Sequence, residues 1–239
     1  MKTPIILTVL AGLILTGNSC TQGGMFGIRG EGPVVQRKLD IRAINGISVP
    51  GSARVYLTQG ASQSVTVEGQ ENLIENLSLD VDGDVWKMSN KQPVWQSKPL
   101  KIMITMKELT QIRVSGSGDV ETTGLFTGDE DLDIKISGSG TARLEIEAND
   151  VTADISGSGS IRLSGKADDL DLRVTGSGSI DAFELQSSRA DVRVTGSGDI
   201  RLAAEEKIDA HLSGSGSVLY KGNPSINSSV TGSGTIRKR

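Results

Sequence analysis

Cysteine and histidine each occur once in the 239 residues, and only seven side chains are aromatic. A single cysteine excludes a disulfide framework and any cysteine-based zinc cluster. With aromatics at 3%, the core has to be built from aliphatic side chains. Positive charge is not in excess either: 25 Lys and Arg face 29 Asp and Glu, for a formal net charge of -4. Charge so near balance argues against nucleic-acid binding, which wants a basic face or stripe, and no nucleic-acid partner is expected. The apolar run Pro4 to Leu15 (PIILTVLAGLIL) is too short for a spanning helix, which needs roughly 20 such residues.

That run follows Lys2 and leads through the small residues Gly17 and Ser19 to Cys20, the order of a secretory signal. It resembles a bacterial lipoprotein signal, in which the cysteine is lipidated and becomes the mature N-terminus. Gly17 departs from the usual pattern, standing where leucine is preferred. The resemblance implies a signal peptide over 1–19, lipidation at Cys20 and a tether over 20–27, so that the chain meets the membrane through its N-terminal lipid. Acyl chains contribute about 0.8 kcal/mol per buried CH₂ and together anchor stably. The expected location is the cell envelope, as an outer-membrane lipoprotein. Thr21–Met25 carries no acidic run of the kind that often accompanies surface export, so the sequence does not choose between the surface and the periplasmic face.

Glycine is abundant, and its placement is periodic. Ser/Thr-Gly-Ser-Gly begins at Ser115, Ser137, Ser156, Thr175, Thr195, Ser213 and Thr231, at spacings of 18 to 22 residues. One residue before each copy stand Val114, Ile136, Ile155, Val174, Val194, Leu212 and Val230; five after its start stand Val120, Ala142, Ile161, Ile180, Ile200, Val218 and Ile236. Apolar residues thus alternate on both sides of the motif, the period-2 pattern of strands with one buried face. Each repeat reads as strand, tight corner, strand and a variable return, which is one coil of a solenoid. Seven coils stacked about 4.8 Å apart give a rod roughly 34 Å long.

The alternation puts both motif glycines on the inward side: Gly116 and Gly118, Gly138 and Gly140, Gly157 and Gly159, Gly176 and Gly178, Gly196 and Gly198, Gly214 and Gly216, Gly232 and Gly234. A Cβ there is expected to strike the opposite wall, and glycine also tolerates positive φ at a sharp corner. No helix pattern and no lysine follows any copy, which argues against a phosphate-cradling loop.

Outward positions form columns too. Four residues before the motif lie Gln111, Asp133, Thr152, Asp171, Asp191, Asp209 and Asn227; two before it lie Arg113, Lys135, Asp154, Arg173, Arg193, His211 and Ser229. The candidate surface-binding residues are Asp171, Arg173, Asp191, Arg193 and Asp209. Stacked carboxylates are the raw material of a Ca²⁺ site or of a glycosidase acid and nucleophile, and arginines beside them suit a uronate lyase. Set against this, Asp-x-Arg neighbours neutralise one another as solvated pairs, and no aromatic flanks them to stack a sugar. Asp follows the motif in only two of seven copies, at Asp119 and Asp199, unlike Ca²⁺-binding Gly-Asp repeats. No metal, cofactor or catalytic residue is expected.

Residues 28–110 lack the motif but keep short alternating runs. Strands are predicted over Ala53–Gln59, Ser64–Val67, Leu77–Val81, Val85–Met88 and Leu100–Thr105, with a helical turn over Glu71–Asn76. Trp86 and Trp95 are expected to plug the end of the solenoid, because an uncapped end exposes a sheet edge; the alternative is that they form a ligand platform.

Ile44-Asn45-Gly46-Ile47 with a following Gly-Ser turn, the seven Gly-Ser-Gly corners, and Tyr220-Lys221-Gly222-Asn223-Pro224 together resemble the autotransporter-adhesin family with a head GIN domain, secreted proteins of Bacteroidetes. The likeness covers roughly residues 28–239. It implies an all-β, right-handed parallel β-helix, similar to pectin-lyase-like solenoids without their catalytic residues. Residues 28–110 would form its β-rich N-terminal part and 111–239 its repeat helix. The resulting expectation is a non-enzymatic envelope protein for adhesion or surface scaffolding, meeting a glycan, a host or matrix protein, or a second copy of itself. Its rivals are a carbohydrate-active enzyme using Asp171, Asp191, Asp209, Arg173 or Arg193, and a periplasm-facing protein of envelope stress or assembly.

Overall fold

A computed structural model describes residues 27–96 and 98–239. The signal segment, Cys20 and the tether through Met25 lie outside the described residues.

The motif-bearing half is a parallel β-helix. Long bent strands, Thr141–Gly157, Ser160–Gly176, Ser179–Gly196 and Asp199–Gly214, each make one lap and pair in parallel with the laps above and below. Matching residues lie directly over one another. The column one residue before the corner runs Val49, Val114, Ile136, Ile155, Val174, Val194, Leu212 and Val230. The column beyond the corner runs Ile102, Val55, Val120, Ala142, Ile161, Ile180, Ile200, Val218 and Ile236. Except at the last lap, these side chains are buried, so the interior is a set of aliphatic ladders. Burying each Val, Leu or Ile is worth about 1.5–3 kcal/mol.

The corners hold because glycine lets successive laps touch. In six of seven copies the first motif glycine has positive φ, and Gly176 is typical at +114°. A Cβ on Gly176 would sit 2.6 Å from the carbonyl oxygen of Gly157 in the lap beneath. The obstacle is thus the neighbouring lap, not the opposite wall that the alternation suggests. The same closeness lets Ser177 N–H donate to the Gly157 carbonyl (2.9 Å) and Ser179 N–H to that of Gly159 (3.0 Å), and this ladder recurs at each corner.

Stacking continues below the first motif. Val49 and Arg54 lie under Val114 and Asp119, so Pro50-Gly51-Ser52-Ala53 is a further corner. Ser117 and Asp119 donate N–H bonds to the carbonyls of Gly51 (3.2 Å) and Ala53 (3.0 Å), as at the other corners. Beneath this lap lie Val85–Lys87 and Lys101–Met106, also parallel to it. The pairing direction then reverses: Ser64–Gln70 runs antiparallel to Lys101–Met106, and Val34–Leu39 antiparallel to Ser64–Gln70.

This cap matches most of the predicted strands and the turn of helix, Glu71–Glu75. Leu77–Val81 is a correction: only Val81–Asp82 is strand. Ser78 Oγ bonds the Asp80 carboxylate and also accepts the Asp80 N–H (3.1 Å), a local turn that competes with a ladder. Trp86 fills the foot of the column, beneath Ile47, fully buried, with its indole N–H donated to the Ser78 carbonyl (3.0 Å). Trp95 is also a correction, because it is 61% exposed and plugs nothing.

Candidate functional site

The two outward columns before the corner are real ladders. Gln111, Asp133, Thr152, Asp171, Asp191, Asp209 and Asn227 pair in sequence, as do Arg113, Lys135, Asp154, Arg173, Arg193, His211 and Ser229. All five candidate residues, Asp171, Arg173, Asp191, Arg193 and Asp209, therefore share one sheet face.

Their charges are largely turned on one another. Lys135 bonds Asp133 at 2.8 Å and reaches Asp154 at 4.0 Å; Arg173 reaches Asp154 at 4.0 Å and bonds Asp171. Asp154, the one acid in the basic column, thus bridges two cations. Lys207 holds Asp209 at 2.6 Å, and the Asn227 amide donates to the same carboxylate at 3.1 Å. Among the described residues, Asp191 and Arg193 have no ion pair.

Beside the acidic ladder runs a third column, Asp150, Asp169, Arg189 and Lys207. The two enclose a shallow trough of about 370 Å³ with Asp171, Asp191 and Asp209 along one side. Burial, reinforced by Asp191 and Asp154 and opposed by Arg173, pushes the Asp171 carboxyl above the ordinary carboxylate value. Hydrogen bonds from Lys207 and Asn227 hold Asp209 below it. Asp150 is raised by desolvation and by the charges of Asp131, Asp169 and Asp168.

Asp171 and Asp209 are two laps apart, or roughly 9.6 Å along the ladder. No aromatic lines the trough, and no grouping of three or more Asp, Glu, His or Cys that could hold a metal ion occurs among the described residues. The arrangement offers a charged, flat, regularly spaced surface.

One cluster was not legible as a site in the sequence. The lap that begins at Thr175 takes up its extra length in register shifts between Ala182 and Gln186, beside Phe183. Lys221 Nζ lies 4.6 Å from the Phe183 ring centroid, with the guanidinium carbons of Arg239 and Arg201 at 5.5 and 5.9 Å. The only advance signal was the 20-residue spacing between Thr175 and Thr195, against 19 and 18 on either side.

Fold and face together define a parallel β-helix that presents ladders of polar side chains. Residues 43–224 match the family described as "Putative auto-transporter adhesin, head GIN domain", and the chain belongs to that family. It is similar to a "putative adhesin" of solved structure from Bacteroides fragilis NCTC 9343, at 28% identity and a TM-score of 0.80, covering 89% of this chain and 100% of that one. A "putative lipid binding protein" from Parabacteroides distasonis ATCC 8503 is 27% identical, with a TM-score of 0.75 and coverage of 89% and 99%. A "putative adhesin" from the same organism is 25% identical, with a TM-score of 0.74 and coverage of 89% and 100%. No protein of curated function matches.

Proposed function

We propose that the chain is a lipid-anchored protein of the cell envelope that acts by display, through adhesion or scaffolding, and not by catalysis. The observation that supports this most is the unbroken register of the outward ladders, which makes a rigid polar face several laps long. Arg193 and Asp191 supply charge on that face not already held by a neighbour, and a glycan or a matrix protein is the class of partner it suits. Arg173 is committed to Asp171 and Asp154, and would hold the face in shape. Lipid binding is a description of the Parabacteroides protein; in this chain, on our reading, Cys20 carries the lipid.

Beads coated with the full chain, applied to glycan arrays, matrix proteins and intact cells, test the display reading. Binding is expected, reduced by a joint Asp191→Asn and Arg193→Gln change. No binding on any panel removes adhesion. Protease treatment of whole cells separates the surface from the periplasm: degradation of the native chain supports outward display, and full protection supports a periplasmic scaffold.

A further inference from the structure

From the cap we infer that Trp95 is a membrane-contact residue, seating the N-terminal end of the rod on the lipid surface that anchors it. The inference rests on the lipid-anchor reading of Cys20. At 61% exposure, Trp95 is the most exposed of the large apolar side chains among the described residues. Its position follows from how the cap is built. Every other lap turns at a tight corner, whereas the bottom layer links Val85–Lys87 to Lys101–Met106 through residues 88–100. That long link carries the strand Val94–Gln96, whose only pairing among the described residues is with Ile28–Arg29, the first strand among them.

The chain therefore enters the fold against the segment that presents the indole. Ile28 donates its N–H to the Pro93 carbonyl at 2.7 Å, and a Cβ on Gly27 would lie 3.4 Å from the Cβ of Trp95. From Cys20 to Gly27 the chain can extend at most about 25 Å. A lipid on Cys20 thus keeps Trp95 within that distance of the bilayer. Exposed Arg29 and Lys98 are close in sequence to this pairing, with Glu31 the nearest acid along the chain. An indole with an apolar body and one N–H donor, near cations, suits the headgroup boundary.

The two tryptophans make the test clean, because Trp86 is buried and Trp95 is not. The full chain, purified in detergent, is reconstituted into phosphatidylethanolamine–phosphatidylglycerol vesicles with plain or brominated acyl chains. Wild-type emission is expected to shift to the blue on reconstitution and to be quenched by the brominated lipid. In Trp95→Phe both effects should disappear, while co-flotation with vesicles and the thermal midpoint stay unchanged. If the wild type co-floats but its emission is the same in both lipids, the Trp95 contact is overturned and the anchor stands. If the wild type fails to co-float, the anchor falls and this inference with it. Equal quenching in Trp95→Phe would assign the signal to Trp86 and overturn the contact.

Discussion

At the scale of single residues, the corner glycines show two different reasons for the same choice. Gly176 needs its φ of +114°, and its missing Cβ leaves room for the Gly157 carbonyl. Gly178 has no positive φ and is kept small by crowding alone, since a Cβ there would lie 2.5 Å from Cγ2 of Ile155 and 2.9 Å from the Gly159 carbonyl oxygen. Gly176→Ala is expected to cost about 1–3 kcal/mol from φ alone, with the 2.6 Å approach adding to it. Ser177→Ala, on the exposed residue between them, should change stability by no more than about 0.5 kcal/mol. Urea unfolding of the two variants decides the matter: equal midpoints would mean that the corner is not held by close lap-to-lap contact.

Elements carry the electrostatics, because the columns set which charges stand over one another from lap to lap. Asp150 is raised above the ordinary value of 3.8 by desolvation and by acidic neighbours, so the native state binds its proton more tightly than the unfolded chain. Stability then falls as pH rises from that value through the folded one. Asp209 is lowered by Lys207 and Asn227, so its contribution is present above 3.8 and is lost as pH falls through the folded value. Thermal melts across the acid range should therefore give the two asparagine variants opposite signs. Asp150→Asn raises the midpoint at pH 7 and Asp209→Asn lowers it; the Asp150 difference closes once pH falls below 3.8, and the Asp209 difference only below its lowered folded value. The columns themselves were readable from spacing, since period 2 and a fixed corner determine which residues stack. The lap at Gly46–Gln59 was not, because Pro50-Gly51-Ser52-Ala53 keeps the corner's shape while losing its signature. Pairing inside the face was half visible: Asp171 beside Arg173 follows from alternation within one strand, but Asp154 bridging two laps depends on side-chain reach. Trp95 was misread because an exposed indole and a plugging indole look alike in a string of letters.

For the whole molecule, the decisive property is that each lap touches only its neighbours, which makes stability roughly a sum of lap and interface contributions. Removing Thr175–Val194 takes out one lap and joins Val174 directly to Thr195. Val174 and Val194 occupy the same column, and so do Leu172 and Val192, so the join leaves every ladder intact. This shortened chain is expected to fold as a single soluble species, with the same strand signal per residue by circular dichroism and a lower melting midpoint. Removing only Thr175–Glu184 joins Val174 to Leu185, which belongs near the far return of the lap. That change puts Leu185 at the Thr175 position and Gln186 where Gly176 must lie against the lap beneath, and shifts every later residue out of column. The half-lap deletion should aggregate or melt without cooperativity. If both deletions fold equally well, or if the full-lap deletion fails as completely as the half, the interior is not a stack of interchangeable laps. The rigid outward face on which display depends would then have no structural basis.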